Sequence, residues 1–269
     1  VQPLLAAYNF CNQDFPAFLS DTAAAGFQNV ALGFFKGYLD LSLPTLTAEE
    51  EAWLQGELDR HGLTLIAVFA GGLNLLVEEG LANLLAGLDN AARLGVSVLD
   101  MGSFGFADKS PAQIADDEAL FVERVRVAGD RAGELGLTIC LETHGGFTGD
   151  TDTCLHAMAA INHPQVKLAY DPANFLFYEG KLPEDRLEQL CPHIGHTHLK
   201  DHQGAQGHPD FPLIGHGQTN YDLILPTLWR CGYRGPYTLE RAPGDTPAAR
   251  TAALAEAYEY MQRMLPGDV

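Results

Sequence analysis

Gly136-Leu137-Thr138-Ile139-Cys140-Leu141-Glu142-Thr143-His144 carries the chain from the end of a long helical stretch into a short apolar run that finishes on a carboxylate. Gly136 reads as a helix stop, because glycine enters the left-handed region without a steric penalty. The stretch that it stops opens at Ser110-Pro111-Ala112-Gln113, a capping box with proline at the first helical position. Downstream, Thr153–Ala160 reads as a shorter helix and Val166–Asp171 as the next apolar strand. Strand, helix, strand in this rhythm is the unit of a parallel sheet covered by helices.

The rhythm holds in both directions. Strand-like runs are Leu4–Tyr8, Gln28–Leu32, Thr64–Phe69, Val96–Met101, Thr138–Glu142, Val166–Asp171, His193–Leu199 and Tyr237–Glu240. Between them, Thr47-Ala48-Glu49-Glu50 is a capping box for a helix to about Arg60, stopped by His61-Gly62. Leu81–Leu94, Glu184–Leu190, Tyr221–Cys231 and Pro247–Met264 carry further helical patterns. Eight such units predict an α/β chain folded as one (β/α)8 TIM barrel, with residues 1–269 as a single domain. An open doubly wound sheet is the alternative, but the first strand–helix turn has no GxGxxG fingerprint.

Composition narrows the function. The 269 residues hold 16 Lys+Arg against 35 Asp+Glu, a net charge of −19, so a nucleic-acid partner is not expected. No run of about 18 apolar residues predicts a membrane span. The opening Val1-Gln2-Pro3-Leu4-Leu5 has no basic residue, and no signal peptide is expected from it. Five scattered cysteines without a CxxC pair suit reduced thiols, so a cytoplasmic location is the expectation.

Barrel enzymes build their sites at the C-terminal strand ends. Alternate residues of a strand face opposite sides. In the fifth strand Glu142 shares a face with Cys140 and Thr138, while Leu137, Ile139 and Leu141 share the other. The same parity groups Asp171 with Ala169, His198 with His196, and Glu240 with Thr238. Small and polar residues suit the lumen, so Glu142, Asp171, His198 and Glu240 are expected together at its top. Three carboxylates so close would be driven toward neutrality, and a divalent cation removes that cost. Oxygen ligands with one imidazole suit Mn2+, Mg2+ or Co2+ better than a thiolate-bound zinc.

At these residues the chain resembles the xylose isomerase-like sugar isomerase/epimerase superfamily. Leu141-Glu142-Thr143-His144, Asp171-Pro172-Ala173-Asn174 and His196-Thr197-His198-Leu199-Lys200-Asp201 resemble its motifs on strands five, six and seven. Gly215-His216-Gly217 with Asn220-Tyr221-Asp222 resembles its GxG turn, and Leu239-Glu240 supplies the last position. The resemblance implies a TIM barrel with one divalent metal on Glu142, Asp171, His198 and Glu240. Mn2+ is the first expectation, with Mg2+, Co2+ or Zn2+ as alternatives. Three departures stand out. Asn174 replaces the His of many ketose 3-epimerases, the segment 202–212 is long and lacks Arg, and His216 replaces an acidic residue. Endonuclease IV belongs to the same superfamily. Its extra His ligands are not matched by Phe69-Ala70-Gly71 or Met101-Gly102-Ser103.

What the resemblance implies is chemistry beside a carbonyl, through an enediolate, on a sugar or sugar phosphate. Glu142 and Glu240 would be acid and base. His144, Asn174 and Lys200 would bind substrate, although Lys200 could instead pair with Asp201. His196 would orient His198 or a carboxylate. Lys36, Lys109, Lys200 and Arg241 are the cations available to a phosphate. Phe10, Phe34, Phe35, Phe69, Phe104 and Phe106 form either a water-excluding wall or ordinary packing. A dehydratase of the inosose or 3-dehydroshikimate type is the alternative activity, and a noncatalytic sugar-binding barrel the third reading. A homo-oligomer is left open.

Overall fold

The computed structural model describes residues 2–265. Eight strands form a closed parallel barrel: β1 (Leu5–Tyr8), β2 (Asn29–Gly33), β3 (Thr64–Phe69), β4 (Val98–Met101), β5 (Thr138–Glu142), β6 (Val166–Tyr170), β7 (Ile194–Leu199) and β8 (Tyr237–Leu239). β8 pairs with β1 through Leu5–Tyr237, Ala6–Thr238 and Ala7–Leu239, which closes the ring. The expected barrel is what forms, and the open sheet is excluded.

Helices cover the outside: α1 (Phe15–Ala24), α2 (Ala48–His61), α3 (Gly80–Arg93), α4 (Pro111–Leu135), α5 (Thr151–Ile161), α6 (Pro172–Asn174), α7 (Leu187–Leu190), α8 (Tyr221–Arg230) and α9 (Pro247–Met264). Both expected capping boxes form, at Thr47/Glu50 and Ser110/Gln113, and Gly62 and Gly136 end their helices in the left-handed region. α1 has no counterpart in the sequence reading. Its cap is Asp14, which accepts from Ala17 N–H, with no Glu or Gln at the third helical position to complete a box. The helix read from Glu184 begins only at Leu187, because Arg186 adopts a left-handed φ of 54°.

Strand parity sorts the two cores. Leu32, Leu99, Leu141, Leu168, Leu199 and Leu239 point outward and pack beneath the helices. Each buried leucine contributes about 1.5–3 kcal/mol of transfer free energy. The lumen holds Tyr8, Ala31, Ala67, Phe69, Val98, Cys140 and Ala169. Its small residues leave room for the larger polar groups at the C-terminal end.

Candidate metal centre

The four expected groups meet at one end of the barrel. Glu142 is the last residue of β5 and His198 lies within β7. Asp171 and Glu240 stand one residue beyond β6 and β8. His198 is the hub. Its Nδ1 lies 3.4 Å from Glu142 Oε1 and 4.0 Å from Glu240 Oε2, and its Nε2 lies 3.2 Å from Asp100 Oδ2. One ligand atom from each of Glu142, His198 and Glu240 lies within 4.8 Å of the other two.

Asp171 is held differently. Its Oδ1 caps α6, accepting from Ala173 N–H at 3.0 Å and Asn174 N–H at 3.3 Å. Its Oδ2 lies 2.6 Å from Lys200 Nζ. Lys200 also donates to both oxygens of Glu240, at 2.9 and 3.0 Å. The expected alternative pair, Lys200 with Asp201, does not form. Asp201 instead accepts four backbone N–H groups, from His202 and Thr219 on Oδ1 and from Gly215 and Gly217 on Oδ2. The GxG turn is thus wrapped around a buried carboxylate. His216 between the two glycines turns away, to Glu256 at 2.7 Å.

One ammonium, Lys200, is shared by two of the three carboxyl groups, Asp171 and Glu240. Burial pushes Asp171 up, Lys200 opposes, and Glu240 and Glu142 add to the rise, to about 8. Burial would also raise Glu240, but Lys200 and His198 outweigh it and hold that carboxyl at about 2. Burial disfavours the imidazolium of His198, yet Asp100 and Glu142 push its pKa well up. The carboxylates are thus held by Lys200 and by a His198 that protonates readily, positive charge that a divalent cation would replace. His198 Nδ1 has only a long contact to Glu142, at the far limit of hydrogen bonding. A nitrogen facing carboxylate oxygens is a donor set that fits a divalent cation.

A second buried group, Asp100, His196 and His198, also brings its ligand atoms within 4.8 Å. Those atoms are already engaged with one another. Asp100 Oδ2 accepts from Tyr8 OH and lies 2.7 Å from His196 Nδ1. His196 Nε2 pairs with Thr238 Oγ1 at 2.7 Å. Burial would raise the Asp100 carboxyl, but the two histidines hold it well below the usual range. His196, expected to orient a neighbour, does contact a carboxylate, although that carboxylate is Asp100.

Above these groups opens a cavity of about 680 Å³. The last four strand units contribute Glu142, His144, Asn174, Lys200, Glu240 and Arg241, together with Phe177, Tyr178 and Phe211. The first four contribute Phe10, Phe35, Tyr38, Phe69 and Phe104. Four of the six expected phenylalanines therefore line the cavity, while Phe34 and Phe106 pack into the outer core. Asn174 Nδ2 reaches Glu142 Oε1 at 3.4 Å, and His144 Nε2 pairs with Tyr178 OH at 2.6 Å. Lys200 and Arg241 line the cavity, whereas Lys109 pairs with Asp117 at 2.7 Å and Lys36 is not on the wall.

Sequence reasoning passed over Asp100, Tyr8, Tyr178 and Phe211. For Asp100 the signal was present: parity in Val98-Leu99-Asp100-Met101 puts Asp100 with Val98 on the lumen face.

Comparison with known proteins identifies the family and the fold. The family model for the xylose isomerase-like TIM barrel matches residues 19–264. The chain belongs to the xylose isomerase-like TIM barrel family. Among curated relatives, inosose dehydratase of Geobacillus thermodenitrificans (strain NG80-2) is 27% identical over 173 residues. That match covers 57% of this chain and 54% of the relative, so the likeness spans about half the length of that enzyme. Two solved structures show how far the family fold extends. A xylose isomerase-like TIM barrel protein from Mycobacterium smegmatis, in complex with magnesium, superposes with a TM-score of 0.76 at 21% identity, covering 98% of this chain and 96% of that one. D-psicose 3-epimerase in the presence of D-fructose superposes with a TM-score of 0.77 at 17% identity, covering 98% and 100%. At these identities the likeness is one of fold. Structural neighbours of this family member thus include sugar epimerases, and a dehydratase is among its curated relatives. Among the described residues, no helix is long and apolar enough to cross a membrane.

Proposed function

We propose that this family member is a divalent-metal-dependent isomerase or epimerase of a sugar or sugar phosphate, moving a proton beside a carbonyl through an enediolate. The observation that carries the reading is that Glu142 and Glu240 flank His198 and both open onto the same cavity. The metal ligands would be Glu142, Asp171, His198 and Glu240, with Asp171 exchanging its contact to Lys200. A divalent ion held there supplies Lewis acidity, which makes the C–H next to a carbonyl more acidic.

The chain's own residues do the rest. Lys200 keeps Glu240 deprotonated through two hydrogen bonds, which also weakens it as a base, so Glu240 would take the proton as the ammonium turns toward substrate oxygen. Glu142, steadied by Asn174 Nδ2, returns a proton from the other side. Acid and base on opposite faces invert a carbon, and each transfer contributes roughly 10²–10⁴-fold. His144, Asn174 and Lys200 present donors to substrate hydroxyls. The aromatic side of the cavity keeps water from the carbanionic intermediate.

Dehydration is the second reading, and one observation favours it. The Tyr178–His144 pair places a proton source on the cavity wall apart from the two glutamates, where a leaving hydroxyl could be protonated. Incubation with Mn2+ and a panel of keto sugars in D2O separates the readings. Deuterium at a retained carbon supports the epimerase, and a conjugated enone or diketone supports the dehydratase. Bound metal without exchange or turnover supports a binding barrel.

A further inference from the structure

The proposed ligand His198 offers its Nδ1 to the carboxylates, yet an imidazole can present either nitrogen. Something must choose between them. The choice lies on the other side of the ring. Asp100 Oδ2 lies 3.2 Å from His198 Nε2, and both residues are fully buried. That oxygen also accepts from Tyr8 OH and faces His196 Nδ1 at 2.7 Å. His196 is anchored in turn by Thr238 Oγ1. Tyr8 packs edge-on against the His198 ring, with centroids 4.9 Å apart, and Phe69 lies against it at 5.8 Å.

We infer that Asp100 is the positioning residue of the metal centre: by accepting from His198 Nε2–H, it directs the lone pair of Nδ1 toward Glu142 and Glu240. Tyr8 and His196 hold the Asp100 carboxylate in place, so three residues from three strands fix one imidazole. The inference rests on the metal reading above. It also assigns a role to the second buried group. Tyr8 and Thr238 engage Asp100 Oδ2 and His196 Nε2, while Asp100 Oδ1 is buried without a partner among the described residues. On this inference the group braces the first one rather than binding a second ion. Partners of this kind typically change metal affinity by about 10- to 100-fold.

Two measurements test it without reference to turnover. Calorimetric titration with Mn2+ should give one equivalent bound to the natural protein. Affinity should fall by about 10- to 100-fold in Asp100→Asn. In Tyr8→Phe, which keeps the carboxylate and loses one donor, it should fall by a smaller factor. The second variant keeps the test open if Asp100→Asn does not fold. Separately, nitrogen NMR of the histidine-labelled, Mg2+-loaded protein should show a proton on Nε2 of His198 and none on Nδ1. A proton on Nδ1, or unchanged Mn2+ affinity in folded Asp100→Asn, overturns the inference. So does a second equivalent of Mn2+ that disappears in the variant. A natural protein that binds no Mn2+ at all removes the metal reading itself, and that outcome is distinct from the other three.

Discussion

Lys200 Nζ lies 2.6 Å from Asp171 Oδ2, each side chain buried just beyond the end of its strand. This contact is the one the proposed metal would have to displace. It makes Lys200 a stand-in for positive charge in the metal-free chain. Removing one partner of a buried ion pair costs about 3–5 kcal/mol. Lys200→Met should therefore lower the metal-free stability by about that amount in urea unfolding. Mn2+ should raise the melting temperature of the variant more than that of the natural protein.

Glu142 and Glu240 are both assigned metal binding and proton transfer. Each carboxamide replacement, Glu142→Gln or Glu240→Gln, keeps the shape and removes the charge. Turnover should fall by at least about 100-fold. Metal content measured by mass spectrometry should fall with it. If both variants keep their metal and their activity, the site lies elsewhere.

Asp201 accepts four N–H bonds and touches no group of the proposed chemistry. Hydrogen bonds to a charged acceptor contribute about 1.5–3 kcal/mol each, less than additively when shared. Asp201→Ala should cost at least about 3 kcal/mol of stability. The loop carrying Gly215 and Gly217 should become cleavable by protease, which limited proteolysis would read directly.

Gly33 ends β2, and a Cβ there would run into the ring of Phe10. The backbone cannot retreat, because Asn9 clamps it from both sides: Gly33 N–H donates to Asn9 Oδ1 at 2.8 Å and Asn9 Nδ2 donates to Gly33 O at 3.0 Å. The ring of Phe10 must move instead. Gly33→Ala should cost about 1–3 kcal/mol. It should raise KM for the substrate found in the D2O panel, while Mn2+ affinity stays unchanged.

The barrel was legible because local signals agreed with it. Capping boxes at Thr47 and Ser110 and the stops at Gly62 and Gly136 marked the helices, and alternation marked the strands. Glu142, Asp171, His198 and Glu240 could be grouped for the same reason, since each follows the parity of its own strand. Partnerships were harder to read. Lys200 and Asp201 are adjacent in sequence, but their side chains go to different carboxylate and backbone partners. The Tyr8–Asp100 and Asp100–His196 bonds join residues 92 and 96 positions apart. No local pattern encodes such a bond, because it exists only once β1, β4 and β7 face one lumen.

That last network has a mechanical consequence. Tyr8, Asp100 and His196 sit on strands spaced around the ring, so their bonds run across the lumen rather than along its wall. They act as spokes. A barrel flattened by thermal motion or by an ill-fitting ligand must stretch at least one of them. Distortion of the ring at these strands would therefore disturb the same bonds that, on the inference above, aim the His198 imidazole.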